Sequence, residues 1–164
     1  MDAIFKRVSI RKYADRDVEQ EKIEKILRAA MQAPSAGNQQ PWEFIVVKDK
    51  ELLKQLGTIS EYAWPATEAP CAIVNICNPE NCKFANVAPT DMAICTEHEW
   101  LEASDLGLGA VWLGVYPFEE RINKGREILG LQGEKFIFSI LTLGYPAQER
   151  LQKARFRPEK ISYR

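Results

Sequence analysis

Ala33-Pro34-Ser35-Ala36-Gly37-Asn38-Gln39-Gln40-Pro41-Trp42-Glu43-Phe44 joins two segments whose apolar residues follow different periods. Ahead of it, Ile23, Ile26, Leu27 and Ala30 recur at i, i+3, i+4 and i+7, and Glu19, Glu21 and Glu24 lie in the first turns, where the helix dipole favours negative charge. That helix stops at Pro34. Behind it, Trp42 to Val47 is β-branched and aromatic and reads as a strand with Pro41 at its start. The residues between are turn formers, so the stretch is a helix-to-strand joint.

Working outward, Asp2 to Lys6 suits a short helix and Lys50 to Leu56 another, ended by Gly57. Ser60 to Pro65 is an aromatic loop or helical turn, and Pro70 to Cys77 a buried strand. Residues 78–90 form the longest loop, and Asp91 starts a helix that runs to about Leu106. Ala110 to Tyr116 is a strand, Phe118 to Leu129 a helix closed by Gly130, and Phe136 to Leu143 a strand closed by Gly144. Some connections are too short for a crossover helix, which favours a mixed α+β architecture over a doubly wound parallel sheet.

The 164 residues suit one domain spanning 1–164 that buries roughly 70% of its unfolded surface. A composition of 46% hydrophobic and 27% charged residues excludes collagen-like and low-complexity classes. The formal net charge of -1 hides a polarity. Residues 6–16 and 147–164 hold 11 of the 22 Lys and Arg but 3 of the 23 Asp and Glu, a net of +8, which leaves -9 elsewhere. That distribution argues against a uniformly basic nucleic-acid binder and lets two basic segments converge on one small anion.

No apolar run approaches the ~20 residues needed to span a bilayer, and the N-terminal residues lack the pattern of a signal peptide, so a cytoplasmic chain is expected. Cys71, Cys77, Cys82 and Cys95 are expected as free thiols, and with one histidine, His98, their spacing offers no zinc ligand set. Residues 147–164 include Leu151, Phe156, Ile161 and Tyr163, too apolar for a solvated tail. They are expected to pack on something, such as a second subunit.

Arg7-Val8-Ser9-Ile10-Arg11 puts two guanidiniums and a hydroxyl on alternate residues, which in an extended segment share one side and suit a phosphate. A solvated basic stretch would show the same spacing. Ser35, Asn38, Gln39 and Gln40 can donate and accept at once, as a heterocycle with carbonyls and ring nitrogens requires. Leu106-Gly107-Leu108-Gly109 follows a helix and leads into a strand, the reverse of a dinucleotide fingerprint. Acids and bases for unaided catalysis are sparse, so an enzyme of this sequence would use a cofactor.

Together these segments resemble the FMN-dependent nitroreductase family. Arg7 to Tyr13 is similar to its opening Arg-x-Ser-x-Arg/Lys signature and Ala33 to Phe44 to its most recognisable motif. Leu106 to Gly109 with Trp112-Leu113-Gly114, Leu141 to Pro146, and Arg155-Phe156-Arg157-Pro158 follow in family order. The resemblance implies a mostly antiparallel mixed sheet flanked by helices, and an intertwined homodimer whose C-terminal arm (147–164) packs on the partner.

By the same resemblance, Arg7, Val8, Ser9 and Arg11 hold the FMN phosphate and ribityl end, joined by Arg155 and Arg157. Pro34, Ser35, Asn38 and Gln40 come from the other subunit, and Trp112, Leu113 and Gly114 lie along the flavin ring near N5. Lys6, Lys12, Arg16, Arg150, Lys153, Lys160 and Arg164 are left as solvated or interface charges. Tyr62 and Trp64 are candidates for contacting the acceptor. The implied reaction is ping-pong: NAD(P)H reduces the flavin and leaves, and a nitroaromatic, quinone or similar small acceptor follows.

Glu97 fits the family's common Glu or Gln, while His98, Glu99 and Glu102 depart from it. At a dimer interface those carboxylates would need partners or waters. Two other readings stand beside the reductase: a flavin-binding protein without turnover, for storage, delivery or sensing, and a basic-ended nucleic-acid module.

Overall fold

Runs of aliphatic and β-branched residues form the centre of the molecule. In the computed structural model, which describes residues 2–164, strands Trp42–Val47 (β1), Cys71–Cys77 (β2), Gly109–Gly114 (β3) and Phe136–Gly144 (β4) make one sheet in the order β1-β2-β4-β3. All three pairings are antiparallel. The helices are Ala3–Lys6 (α1), Gln20–Ala30 (α2), Lys50–Gly57 (α3), Pro65–Glu68 (α4), Ala88–Asp105 (α5) and Glu119–Leu129 (α6).

The two central strands are buried along almost their whole length because both faces of the sheet are covered. Ala72, Val74 and Ile76 of β2 and Ile140 of β4 share a core with Leu53 and Leu56 of α3, against which Ile122 of α6 packs. The alternate residues Cys71 and Ile73, with Leu141 and Leu143, share the opposite core with Ile23 and Ile26 of α2 and Ala103 of α5. This is the α+β architecture expected from the sequence. Helix α5 begins three residues earlier than Asp91: Pro89 lies in its first turn, where a missing N–H breaks no intrahelical bond.

Glu99 does not face outward from α5. It is fully buried with Asn75 of β2, Thr96 of α5 and Ser139 of β4, and Asn75 Nδ2 donates to Glu99 Oε2 at 2.8 Å. Asn75 Nδ2 also lies 3.2 Å from Ser139 Oγ and 3.3 Å from Thr96 Oγ1. Glu99 Oε1 and Asn75 Oδ1 have no partner. Burial without a cation pushes the Glu99 carboxyl up to about 8, against the smaller opposing pull of the Asn75 bond. The side chain is thus a neutral acid in the core at neutral pH, held through one oxygen by Asn75.

The N-terminal segment closes on the outer edge of β3. Ser9 bridges Ala110 in parallel, Ile10 N–H donates to the Ala110 carbonyl at 2.9 Å, and Tyr13 bridges Pro146. Glycine at 109 permits this approach, since a Cβ there would lie 2.6 Å from Ile10 Cγ2. The segment therefore meets the sheet at the Gly109–Ala110 end of β3 and passes on to Pro146 beyond β4.

Candidate functional site

Residues 147–152 return antiparallel beside residues 7–12. Ala147 N–H donates to the Lys12 carbonyl at 3.0 Å, Arg150 Nη1 to the Ser9 carbonyl at 3.1 Å, and Gln152 Nε2 to the Arg7 carbonyl. These bonds bring the two basic segments of the sequence together. Between and beside them lie three successive hollows. The first, of about 330 Å³, is lined by Arg7, Val8, Ser9, Arg150, Lys153 and Arg155 among others. The second, of about 360 Å³, shares Arg150 and Glu149 with it and adds Arg11, Lys12, Trp64 and Gln148. The third, of about 140 Å³, shares Arg11 and Trp64 with the second and adds Ser60, Tyr62, Val111, Trp112, Leu113, Gly114 and Arg121.

One end of this trough is cationic. Arg7 is clamped there, its Cζ 4.0 Å over the Trp100 ring and its Nε 3.8 Å from Glu97 Oε1, while its Nη1 is buried with no partner. Burial raises the Glu97 carboxyl, and Arg7 and His98 oppose the rise. Among the described residues Arg150, Lys153 and Arg155 form no ion pair. An unsatisfied buried donor beside unpaired cations is the donor set for an anion such as a phosphate.

The other end is aromatic and exposes backbone. The Ala110 carbonyl accepts from Ile10 and the Gly114 carbonyl accepts from Arg121 Nη1 at 2.9 Å, so alternate β3 residues turn their backbone groups to the free edge. Trp112 falls in the same phase. At Gly114 a Cβ would meet nothing within 4 Å, which leaves room for a flat ligand against the strand.

The alternating arginines are separated rather than gathered. Arg7 and Ser9 line the cationic end and Arg11 the aromatic end. Arg155 lines the first hollow, whereas Arg157 is exposed and lines none of the three. Arg150 and Lys153, left by the sequence as solvated or interface charges, line the cationic end with it. Tyr62 and Trp64 do meet Trp112, Leu113 and Gly114 in one hollow.

Pro34, Ser35, Asn38 and Gln40 lie outside this trough. Their loop is rigidly held: Asn38 and Gln40 take left-handed φ of 54° and 49°, and Ser35 Oγ accepts from the Gln40 N–H at 3.0 Å. The groups that hold it are Gln39 and Asp91. Asp91 is buried and accepts from Ala36 N–H at 3.0 Å and Gln39 Nε2 at 2.7 Å; the Gln39 amide also pairs with the backbone of Phe84. By sequence Asp91 reads only as the start of a helix, and its place in the first turn after Pro89 is the one signal that marks it. The exposed side chains of Asn38 and Gln40 pair with each other, Gln40 Nε2 donating to Asn38 Oδ1 at 3.2 Å.

The family model described as "Nitroreductase family" matches residues 4–84 and 79–145. A protein of Archaeoglobus fulgidus named "Putative NADH dehydrogenase/NAD(P)H nitroreductase" is 46% identical over 162 residues, covering 96% of this chain and 93% of its own. Among solved structures, a "Putative NADH Oxidase" from Clostridium acetobutylicum matches with a TM-score of 0.95 at 47% identity, over 98% of both chains. An FMN-dependent nitroreductase from Clostridium difficile R20291 matches with a TM-score of 0.91 at 34% identity, over 98% of this chain and 96% of its own.

Proposed function

Because the chain belongs to the nitroreductase family, we propose that it is an FMN-dependent oxidoreductase that uses NAD(P)H to reduce quinones, nitroaromatics or similar small acceptors. The observation that carries this reading is the trough itself, with an orphaned guanidinium nitrogen and unpaired cations at one end and an open, aromatic-lined strand edge at the other. Such a donor set fits a phosphate joined through a polyol to a flat ring.

In this reading Arg7, Ser9 and Arg155, with Arg150 and Lys153, hold the phosphate by charge-assisted hydrogen bonds. Arg157 and the backbone of Val8 support that end. Arg11 adds positive charge at the ring end, where Leu113 lines the hollow and the edge-facing backbone of Trp112 and the N–H of Gly114 offer hydrogen bonds to the ring edge. When bound, FMN supplies the two-electron centre between NAD(P)H and the acceptor. The residues fix position and exclude water around the ring, and no side chain has to move a proton. Reductant and acceptor use one space in turn, a ping-pong order. For a quinone, NAD(P)H and one proton are consumed as hydroquinone and NAD(P)+ form.

The reading extends to a homodimer in which Pro34, Ser35, Asn38 and Gln40 reach the partner's flavin, and the exposed apolar residues Leu151, Phe156 and Tyr163 are covered by the partner. No helix among the described residues is long and apolar enough to cross a membrane. A cytoplasmic site of action suits an NAD(P)H-driven enzyme, and the converging cations need no nucleic acid to account for them.

The decisive experiment mixes the purified yellow protein anaerobically with NADH or NADPH. Bleaching of the flavin band within seconds, and its return on adding menadione, is the expected result. A flavin that stays oxidised would overturn the reductase reading in favour of a flavin-binding protein without turnover.

A further inference from the structure

Arg121, in the first turn of α6, stands at the aromatic end of the trough. Its Nη1 donates to the Gly114 carbonyl at 2.9 Å and its Cζ lies 4.0 Å over the Phe118 ring, so the guanidinium is tethered at two points. Among the described residues no carboxylate lies within ion-pairing distance of it. The hollow it lines contains Tyr62, Trp64 and Trp112 and neither Asp nor Glu. The Gly114 carbonyl accepts from one N–H of a group that carries five.

A fixed, unpaired guanidinium beside three aromatic side chains favours a flat ligand that carries an anion. We propose that Arg121 anchors the acidic substituent of an aromatic acceptor, so that flat rings bearing a carboxylate are the preferred electron acceptors. The proposal rests on the FMN-oxidoreductase reading above. The 2′-phosphate of NADPH carries similar charge, but it sits many bonds from the nicotinamide ring, whereas Arg121 is tied to the strand edge where reacting rings are expected. In the reaction used to test it, an aryl nitro group gains a hydride originating from NAD(P)H and a proton from water. One N–O bond breaks, and the nitroso product, water and NAD(P)+ are released.

The test compares 4-nitrobenzoate with the neutral 4-nitrobenzamide as acceptors for the holoenzyme, anaerobically with NADH. The expected preference for the carboxylate is about 10- to 100-fold in kcat/KM, carried mainly by KM and weakened by salt. Arg121→Gln, which keeps a donor for the Gly114 carbonyl, should bring the ratio close to one, and Arg121→Lys should restore part of it. Benzoate, which cannot be reduced, should perturb the visible flavin spectrum at lower concentration than benzamide, and in Arg121→Gln that difference should vanish. Changing NADH to NADPH should leave the carboxylate preference as it was. A ratio near one in the unmodified enzyme, or an equal ratio in Arg121→Gln, would overturn the proposal alone. Protein that binds no FMN, or whose flavin NAD(P)H does not bleach, would overturn the reading and the proposal together.

Discussion

Arg150 donates from Nη1 to the carbonyl oxygen of Ser9 at 3.1 Å, joining residues 141 apart in the chain. This bond and its neighbours at Lys12 and Arg7 place one basic segment against the other and so build the cationic end of the trough. Removing residues 150–164 takes away that wall together with the exposed apolar side chains beyond it. The shortened protein should lose FMN on gel filtration and sediment as a monomer, whereas the full chain should sediment as a yellow dimer.

Arg7 carries the one buried, unpartnered guanidinium nitrogen of the trough. Arg7→Ala removes a charge-assisted contact to the phosphate and should weaken FMN binding by about 1.5 to 3 kcal/mol, roughly 10- to 150-fold in Kd. Dialysis equilibrium or quenching of FMN fluorescence measures it. The same change frees the Trp100 ring face, so a modest drop in melting temperature should accompany the loss.

Asp91 is expected to act through the loop it holds. Asp91→Ala leaves the Ala36 N–H and the Gln39 amide without their acceptor, a loss of about 1 to 3 kcal/mol. The left-handed residues Asn38 and Gln40 should then relax, and FMN affinity of the dimer should fall although Asp91 lies outside the trough. Asp91→Asn keeps one acceptor oxygen and should recover part of that affinity.

Glu99 makes stability depend on pH. The folded protein keeps its proton until about pH 8, while the unfolded chain releases it in the ordinary carboxyl range, so raising the pH between those points favours unfolding. The contribution is fully present below about pH 4, and its loss on passing pH 8 is on the order of a few kcal/mol. Urea unfolding from pH 5 to 9 should show this decline. Glu99→Gln, neutral at every pH, should flatten it and be more stable than the parent at pH 9.

Much of this fold can be read along the chain because its strands are short aliphatic runs bounded by Gly and Pro, as at Trp42 to Val47 and Cys71 to Cys77. Local rules failed where the deciding neighbour lies far away. Pro89 signals a loop, yet the first turn of a helix accepts it. Glu99 reads as a carboxylate that would need a partner at an interface until Asn75, 24 residues earlier, is seen facing it. At the site, the motifs mark Arg7, Ser9, Arg11 and Arg155 together, whereas in the structure Arg11 lines a different hollow from the other three. Arg150 and Lys153 carry no motif. The antiparallel return of the tail alone brings them to the trough.

The formal charge of -1 counts every carboxylate as ionised. A folded molecule that keeps its buried acid protonated migrates at pH 7 as though that count were zero, and unfolding releases a proton into the medium. Isoelectric focusing should therefore place the native protein at a higher pH than the same chain in urea. The Glu99→Gln protein, with no such proton to surrender, should show no displacement from this source.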